Sequence, residues 1–295
     1  MRRVLPALAI AGCAAAMVAG CAAPVTTASV LVHRAPPVTY YLALGDSLSQ
    51  GVQPAPSGAS VPTRDGYADQ LYTALRRRQP GLRLVKLGCP GETTVTMIKG
   101  GICSYPGGSQ LAAAVGFLRA HGRRVSLMTI DIGANDPDSC ISRPSVAGLA
   151  SCVGKSIPDA VANLAKILLR LRQADASARI VAMNYYLPAL AEWRDGLVGR
   201  VLARLGELAA VGYNTLLTDD YKALGVRVAD VFSAFHTADF GGQVTLPGLG
   251  SMPRNVAAVC QWTWECAASP RGPNEHPNQA GYAVIARAFL RADAR

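Results

Sequence analysis

The chain has 295 residues, half of them apolar and 16% charged, which excludes a disordered or fibrous protein. Its 29 basic and 19 acidic side chains leave a net charge of +10. No block of like charge and no basic stripe interleaved with aromatics accompanies that excess, so nucleic acid is not an expected partner. A solvated, arginine-rich surface accounts for the charge, and attraction to an anionic membrane or cell wall is its functional alternative.

Met1-Arg2-Arg3 and the apolar run Val4 to Gly20 have the form of an export signal, slightly short for a membrane span and ending in small residues. Val18-Ala19-Gly20-Cys21 resembles the bacterial lipobox, which makes Cys21 the expected lipidated first residue of the mature protein. Ile10-Ala11-Gly12-Cys13 fits the same pattern but leaves a very short apolar core. The expected product is a cell-surface lipoprotein whose lipidated N-terminus meets the membrane; a freely secreted protein is the alternative. Residues 21–37 read as a tether without clear periodicity.

From there the chain alternates. Val38 to Leu44 is an apolar, β-prone run that reads as a buried parallel strand. Gly66 to Arg78 is a helix ended by Pro80-Gly81, and Leu82 to Leu87 a second strand. A helix over 109–121, a strand over 125–132, a helix over 157–174 and a strand over 178–183 follow. A helix over 196–224, a strand over 226–232 and a closing amphipathic helix over 278–294 complete the series. Five strands separated by helices predict one α/β domain over 38–295, with a parallel sheet covered on both faces. Functional groups in such sheets sit at the C-terminal ends of the strands.

Export changes the meaning of the cysteines. Six remain beyond Cys21, and an oxidising compartment implies disulfides. Fifteen pairings are possible, and the spacing favours the sequential set Cys89–Cys103, Cys140–Cys152 and Cys260–Cys266. No C-x-x-C pair or His/Cys cluster at ligand spacing supports a metal site.

Four segments carry chemistry. Gly45-Asp46-Ser47-Leu48 directly follows the first strand and presents a serine on a tight turn. A serine hydroxyl needs a neighbouring base to act as a nucleophile; otherwise Ser47 is a helix cap. Gly91, in Gly88-Cys89-Pro90-Gly91-Glu92, follows the second strand and can bring its N–H close to a substrate. Asn135, in Gly133-Ala134-Asn135-Asp136, follows the third and offers an amide donor for an oxyanion. His276, in Asn274-Glu275-His276-Pro277-Asn278, precedes the last helix. Of the four histidines (His33, His121, His236 and His276), only His276 lies in a loop that can return to the tip of the first strand.

Together these blocks resemble those of the SGNH hydrolases, the GDSL-type esterases and lipases, and above all secreted actinobacterial members. The resemblance runs from about Tyr40 to the C-terminus. It implies a three-layer α/β/α sandwich with a five-stranded parallel sheet in the flavodoxin-like order 2-1-3-4-5. It implies Ser47 as nucleophile, His276 as general base, and an oxyanion hole made by the N–H groups of Ser47 and Gly91 with the Asn135 side chain. The similar secreted enzymes also carry three short-loop disulfides, in line with the sequential pairing. The expected activity is hydrolysis of carboxylic esters, lipid or acylated carbohydrate, without a metal or organic cofactor. A carbohydrate O-deacetylase or acyltransferase using the same residues is one alternative, and an inactive surface-binding lipoprotein is another.

One departure from the family pattern stands out. The family places an aspartate three residues before the histidine, where this chain has Pro273. The Pro273 carbonyl is the expected partner that orients His276, since the ring needs only an acceptor on the side away from the serine. Glu275 is the side-chain alternative. Asp46 and Asp136 are expected to support their loops. Trp262 and Trp264, within the last disulfide loop, are expected either to wall an acyl site or to pack on the domain.

Overall fold

A computed structural model describes residues 36–138, 140 and 146–294. The export signal, Cys21 and nearly all of the tether lie outside the described residues. Pro36–Arg295 forms one compact unit that holds the whole sheet, its helices and all three disulfides.

The central sheet is built from β1 (Thr39–Gly45), β2 (Leu82–Lys86), β3 (Val125–Asp131), β4 (Ile180–Met183) and β5 (Arg227–Ala229). All pairings are parallel and the spatial order is β2-β1-β3-β4-β5, the expected 2-1-3-4-5. β1 is central because both faces of its run Tyr41–Leu44 are buried, and Leu42 pairs with Val85 on one side and Met128 on the other. The first four helices are α1 (Ser47–Gln50), α2 (Tyr67–Arg76), α3 (Thr94–Lys99) and α4 (Gln110–His121). α5 (Asn135–Asp138), α6 (Val146–Ala174), α7 (Gly196–Ala223) and α8 (Val231–Ala234) follow, and the last two are α9 (Arg254–Trp262) and α10 (Gln279–Asp293). α2 packs on α10, and α4 on α6, forming the two helical layers of an α/β/α sandwich. Among the described residues no helix is long and apolar enough to cross a membrane.

Side-chain caps fix several helix starts beside the strand tips. Thr93 and Thr96 form a reciprocal capping box on α3, Ser109 caps α4, and Asn278 accepts from the Gly281 N–H at 3.0 Å to start α10. The helix expected over 157–174 begins earlier, at Val146, and the strand expected over 226–232 is confined to 227–229. It stops because Asp230 accepts from the Ser233 N–H and turns the chain into α8. The antiparallel hairpin β6 (Gln243–Leu246) and β7 (Gly250–Pro253), and α9 after it, form a satellite apolar cluster with Trp193 and Phe240. The sulfurs are joined in the sequential set: Cys89–Cys103, Cys140–Cys152 and Cys260–Cys266.

Candidate active site

Ser47 stands where β1 gives way to α1. Gly45 turns the chain at φ +133°, and a Cβ there would fall 2.1 Å from the Asp131 carbonyl, so only glycine fits. The buried Gln110 amide clasps this peptide, accepting from the Gly45 N–H at 2.7 Å and donating to its carbonyl at 2.8 Å. Asp46 accepts from the Leu48 N–H at 2.9 Å, which caps the short helix opened by Ser47. The Asp46 N–H donates to the Asp131 carbonyl at 3.0 Å, and the Ser49 N–H to the Asp131 carboxyl at 3.1 Å. Asp131 is fully buried; burial first, and the neighbouring Asp46 charge second, push its carboxyl well above the usual range, favouring the protonated form.

Two further loops meet this turn. The Cys89 N–H donates to the Gly45 carbonyl at 3.0 Å, and the Glu92 N–H closes the next turn onto the Cys89 carbonyl at 3.0 Å. Gly91 sits in that turn at φ +80°, with no atom within 4 Å of where a Cβ would project. The Asn135 amide donates one N–H to the Glu92 carbonyl at 2.8 Å, which fixes the amide and leaves its second N–H for a ligand. Asp136 accepts from both the N–H and the hydroxyl of Thr94, at 2.9 and 2.6 Å, tying the Asn135 loop to α3. Asp46 and Asp136 thus support their loops.

His276 enters from the far end of the chain. Its loop pairs with the segment closed by Cys260–Cys266: the Trp264 N–H donates to the His276 carbonyl at 3.1 Å, and the Asn274 N–H to the Trp264 carbonyl at 3.2 Å. His276 Nδ1 lies 2.9 Å from Asn274 Oδ1, and the His276 backbone N–H donates to the same oxygen at 3.1 Å. A backbone N–H can only donate, so the His276 N–H assigns Oδ1 to the histidine, and the Asn274 NH₂ donates to the Ser60 hydroxyl at 3.1 Å. With an acceptor facing it, Nδ1 carries the proton and Nε2 is left bare. The expected orienting partner, the Pro273 carbonyl, is therefore replaced by the Asn274 side chain one residue on, which reaches back to its own loop as an Asx turn. Tyr186 donates to the Glu275 backbone carbonyl at 2.8 Å. Burial lowers the His276 pKa from the ordinary histidine value to about 4.

Ser47, Asn135, Pro273 and His276 line one cavity of about 850 Å³. Gly91 is not among its lining residues, although its turn is bonded to both Gly45 and Asn135. Tyr185, Tyr186, Leu187 and Pro188 supply apolar wall after β4, and Gly206, Ala209 and Ala210 of α7 supply more. Three glutamates also line it, Glu192, Glu265 and Glu275, beside Asp46 and Asp195. Burial, then the charges of Glu275 and Glu192, push Glu265 up to about 7. Trp262 and Trp264 do not line the cavity. Trp262 packs edge-on against Phe235, with ring centres 5.3 Å apart, and Trp264 donates to Gln53 at 3.3 Å, so the packing alternative holds. Among the described residues no group of three or more His, Cys, Asp or Glu side chains could hold a metal ion.

Sequence reasoning missed Asn274 and Glu265. Asn274 carried a legible signal, an Asn-x-His spacing at a loop start, which reads equally as a plain turn. Glu265 carried none, because its environment is assembled from distant segments.

A five-stranded α/β/α sandwich with a serine loop, an asparagine loop and a late histidine around one cavity defines a class of hydrolase. The GDSL-like lipase/acylhydrolase family matches residues 43–284. The chain belongs to that family and is a carboxylic ester hydrolase. Solved structures share the fold at low identity. An extracellular lipase from Streptomyces rimosus aligns with a TM-score of 0.57 and 19% identity over 86% of this chain and 100% of its own. A phospholipase A1 from Streptomyces albidoflavus aligns at 0.53 and 19%, over 87% and 100%. An acetylxylan esterase from Geobacillus stearothermophilus aligns at 0.53 and 17%, over 87% and 94%. No protein with a curated description matches the chain.

Proposed function

We propose that the protein is an exported acyl-ester hydrolase working through a Ser47–His276 pair, with the imidazole oriented by the neutral Asn274 amide. The observation that carries this reading is the meeting of Ser47, Asn135 and His276 on one mostly apolar cavity, with His276 Nδ1 already bonded to Asn274. His276 Nε2 takes the Ser47 hydroxyl proton as Oγ bonds to the ester carbonyl carbon. The oxyanion is met by the N–H groups of Ser47 and Gly91 and the spare N–H of Asn135. The C–O bond to the alcohol breaks and the alcohol leaves with the proton from His276. Water then adds to the acyl carbon, again giving its proton to His276, and the acid departs as Oγ recovers that proton.

The apolar walls favour an acyl chain over a bare acetyl group. Three disulfides support an oxidising, extracellular location, and the lipobox-like sequence at Cys21 supports anchoring there. A panel of nitrophenyl esters of rising acyl length, run with wild type and Ser47→Ala, tests the reading. Wild type is expected to prefer medium or long chains, and Ser47→Ala to lose about 10⁴-fold or more in kcat. Equal turnover by the two proteins contradicts the mechanism; activity on acetyl esters alone moves the assignment to the deacetylase.

A further inference from the structure

The first half of α7 has two apolar faces. Gly199, Ala203, Gly206 and Ala210 recur at helical spacing; the first two are buried against the body and the last two reach the cavity. On the other face, Leu197, Val198, Val201, Leu202, Leu205 and Leu208 are all at least half exposed, Leu197 at 78% and Leu208 at 65%. Six large apolar side chains forming one stripe exceed what scattered exposure on a soluble surface explains.

Charge identifies what covers the stripe. The stripe segment, Leu197 to Leu208, carries Arg200 and Arg204 against one carboxylate, Glu207. Both guanidinium groups sit 5.5 Å from the Trp193 ring, and Arg204 also lies 4.3 Å from that of Phe240, so they are held along the stripe's flank. Residues 36–295 hold 26 basic and 19 acidic side chains, a net charge of +7. A second copy packed stripe to stripe would set four arginines against two carboxylates and leave net positive charge in the contact. A surface of apolar chains beneath anionic headgroups satisfies both features, the leucines entering the acyl boundary while the arginines meet the headgroups.

We infer that the N-terminal half of α7 is a docking surface for an anionic lipid bilayer, seating the cavity against its substrate source. The benefit to turnover rests on the acyl-ester reading above; the seating itself does not.

Vesicle co-sedimentation of residues 36–295 tests this without the N-terminal apolar segment. The protein is expected to bind phosphatidylglycerol-containing vesicles and to bind pure phosphatidylcholine vesicles far more weakly. The triple variant Leu197→Ser/Val201→Ser/Leu205→Ser is expected to lose about tenfold or more in affinity, with its thermal unfolding unchanged. Ser47→Ala is expected to bind as wild type does, so a failed hydrolase assignment leaves this result intact. The inference is overturned by wild-type binding to neither vesicle, by equal binding to both, or by undiminished binding of the triple variant. A concentration-dependent dimer that the triple variant abolishes overturns it too, by giving the stripe to a second copy.

Discussion

The serine loop and α7 both line the cavity, yet they are held in different ways. Around Ser47, backbone groups are met by named partners: Gln110 on Gly45, Asp46 on Leu48, Asp131 on Asp46 and Ser49. α7 is pinned through its second half, where Tyr213 donates to the Gly133 carbonyl at 2.7 Å and Asn214 clasps both backbone groups of Tyr185. Its first half presents small residues to the cavity and leucines outward. Atoms that must sit within tenths of an ångström of a reacting carbonyl need hydrogen-bonded preorganisation. A wall that receives acyl chains needs only apolar area and tolerates imprecision.

Substitutions sharpen that contrast. Gly45→Ala is expected to cost several kcal/mol, about 3 or more, because the new Cβ meets both an unyielding backbone carbonyl and a forbidden φ; denaturant unfolding reads it. Leu205→Ser, on the outward face of α7, is expected to stay within about 0.5 kcal/mol of wild type by the same measurement. A Gly45→Ala protein as stable as Leu205→Ser would erase the distinction between the two regions.

Smaller effects fall within the cavity itself. Asn135→Ala is expected to lower kcat by about 10²- to 10³-fold with little change in KM, the signature of a donor used in the transition state. A loss confined to KM would assign Asn135 to ground-state binding instead. Glu265 ionises as the pH rises through about 7, adding negative charge beside Glu275 and Glu192. Turnover of an ester with an anionic leaving group is therefore expected to fall a few-fold across that range, and Glu265→Gln to remove the fall. A pH profile identical in the two proteins would show that Glu265 does not face the substrate.

Much of this was legible in the sequence, for identifiable reasons. β1 announced itself because a strand buried on both faces is an unbroken apolar run. Ser47, Asn135 and His276 were found because each lies in a short block at a strand end or before a helix. The hairpin over 243–253 has little sequence signal: its first strand alternates between exposed and half-buried, and its second buries only Met252 and Pro253, so neither holds a strong apolar run. The outer face of α7 was legible only as helix. Periodicity marks an apolar stripe, but not whether protein or something else covers it. Asn274 is hidden in the sequence because the family pattern of an acid three residues before the histidine points to Pro273. The substitute is an amide two residues before, reached through a local turn, and no helix or strand period encodes it.

That amide separates this account from one based on a charged partner. A carboxylate beside Nδ1 would stabilise the imidazolium, whereas a neutral amide leaves burial to dominate, and His276 keeps its base form down to about pH 4. The pH dependence of kcat/KM on a neutral soluble ester, measured for wild type and Asn274→Asp, therefore bears most directly on the central claim. The account predicts that the wild-type acid limb falls near pH 4 and that Asn274→Asp moves it upward by about one pH unit or more. A wild-type limb at or above the ordinary histidine range, unmoved by Asn274→Asp, would contradict it.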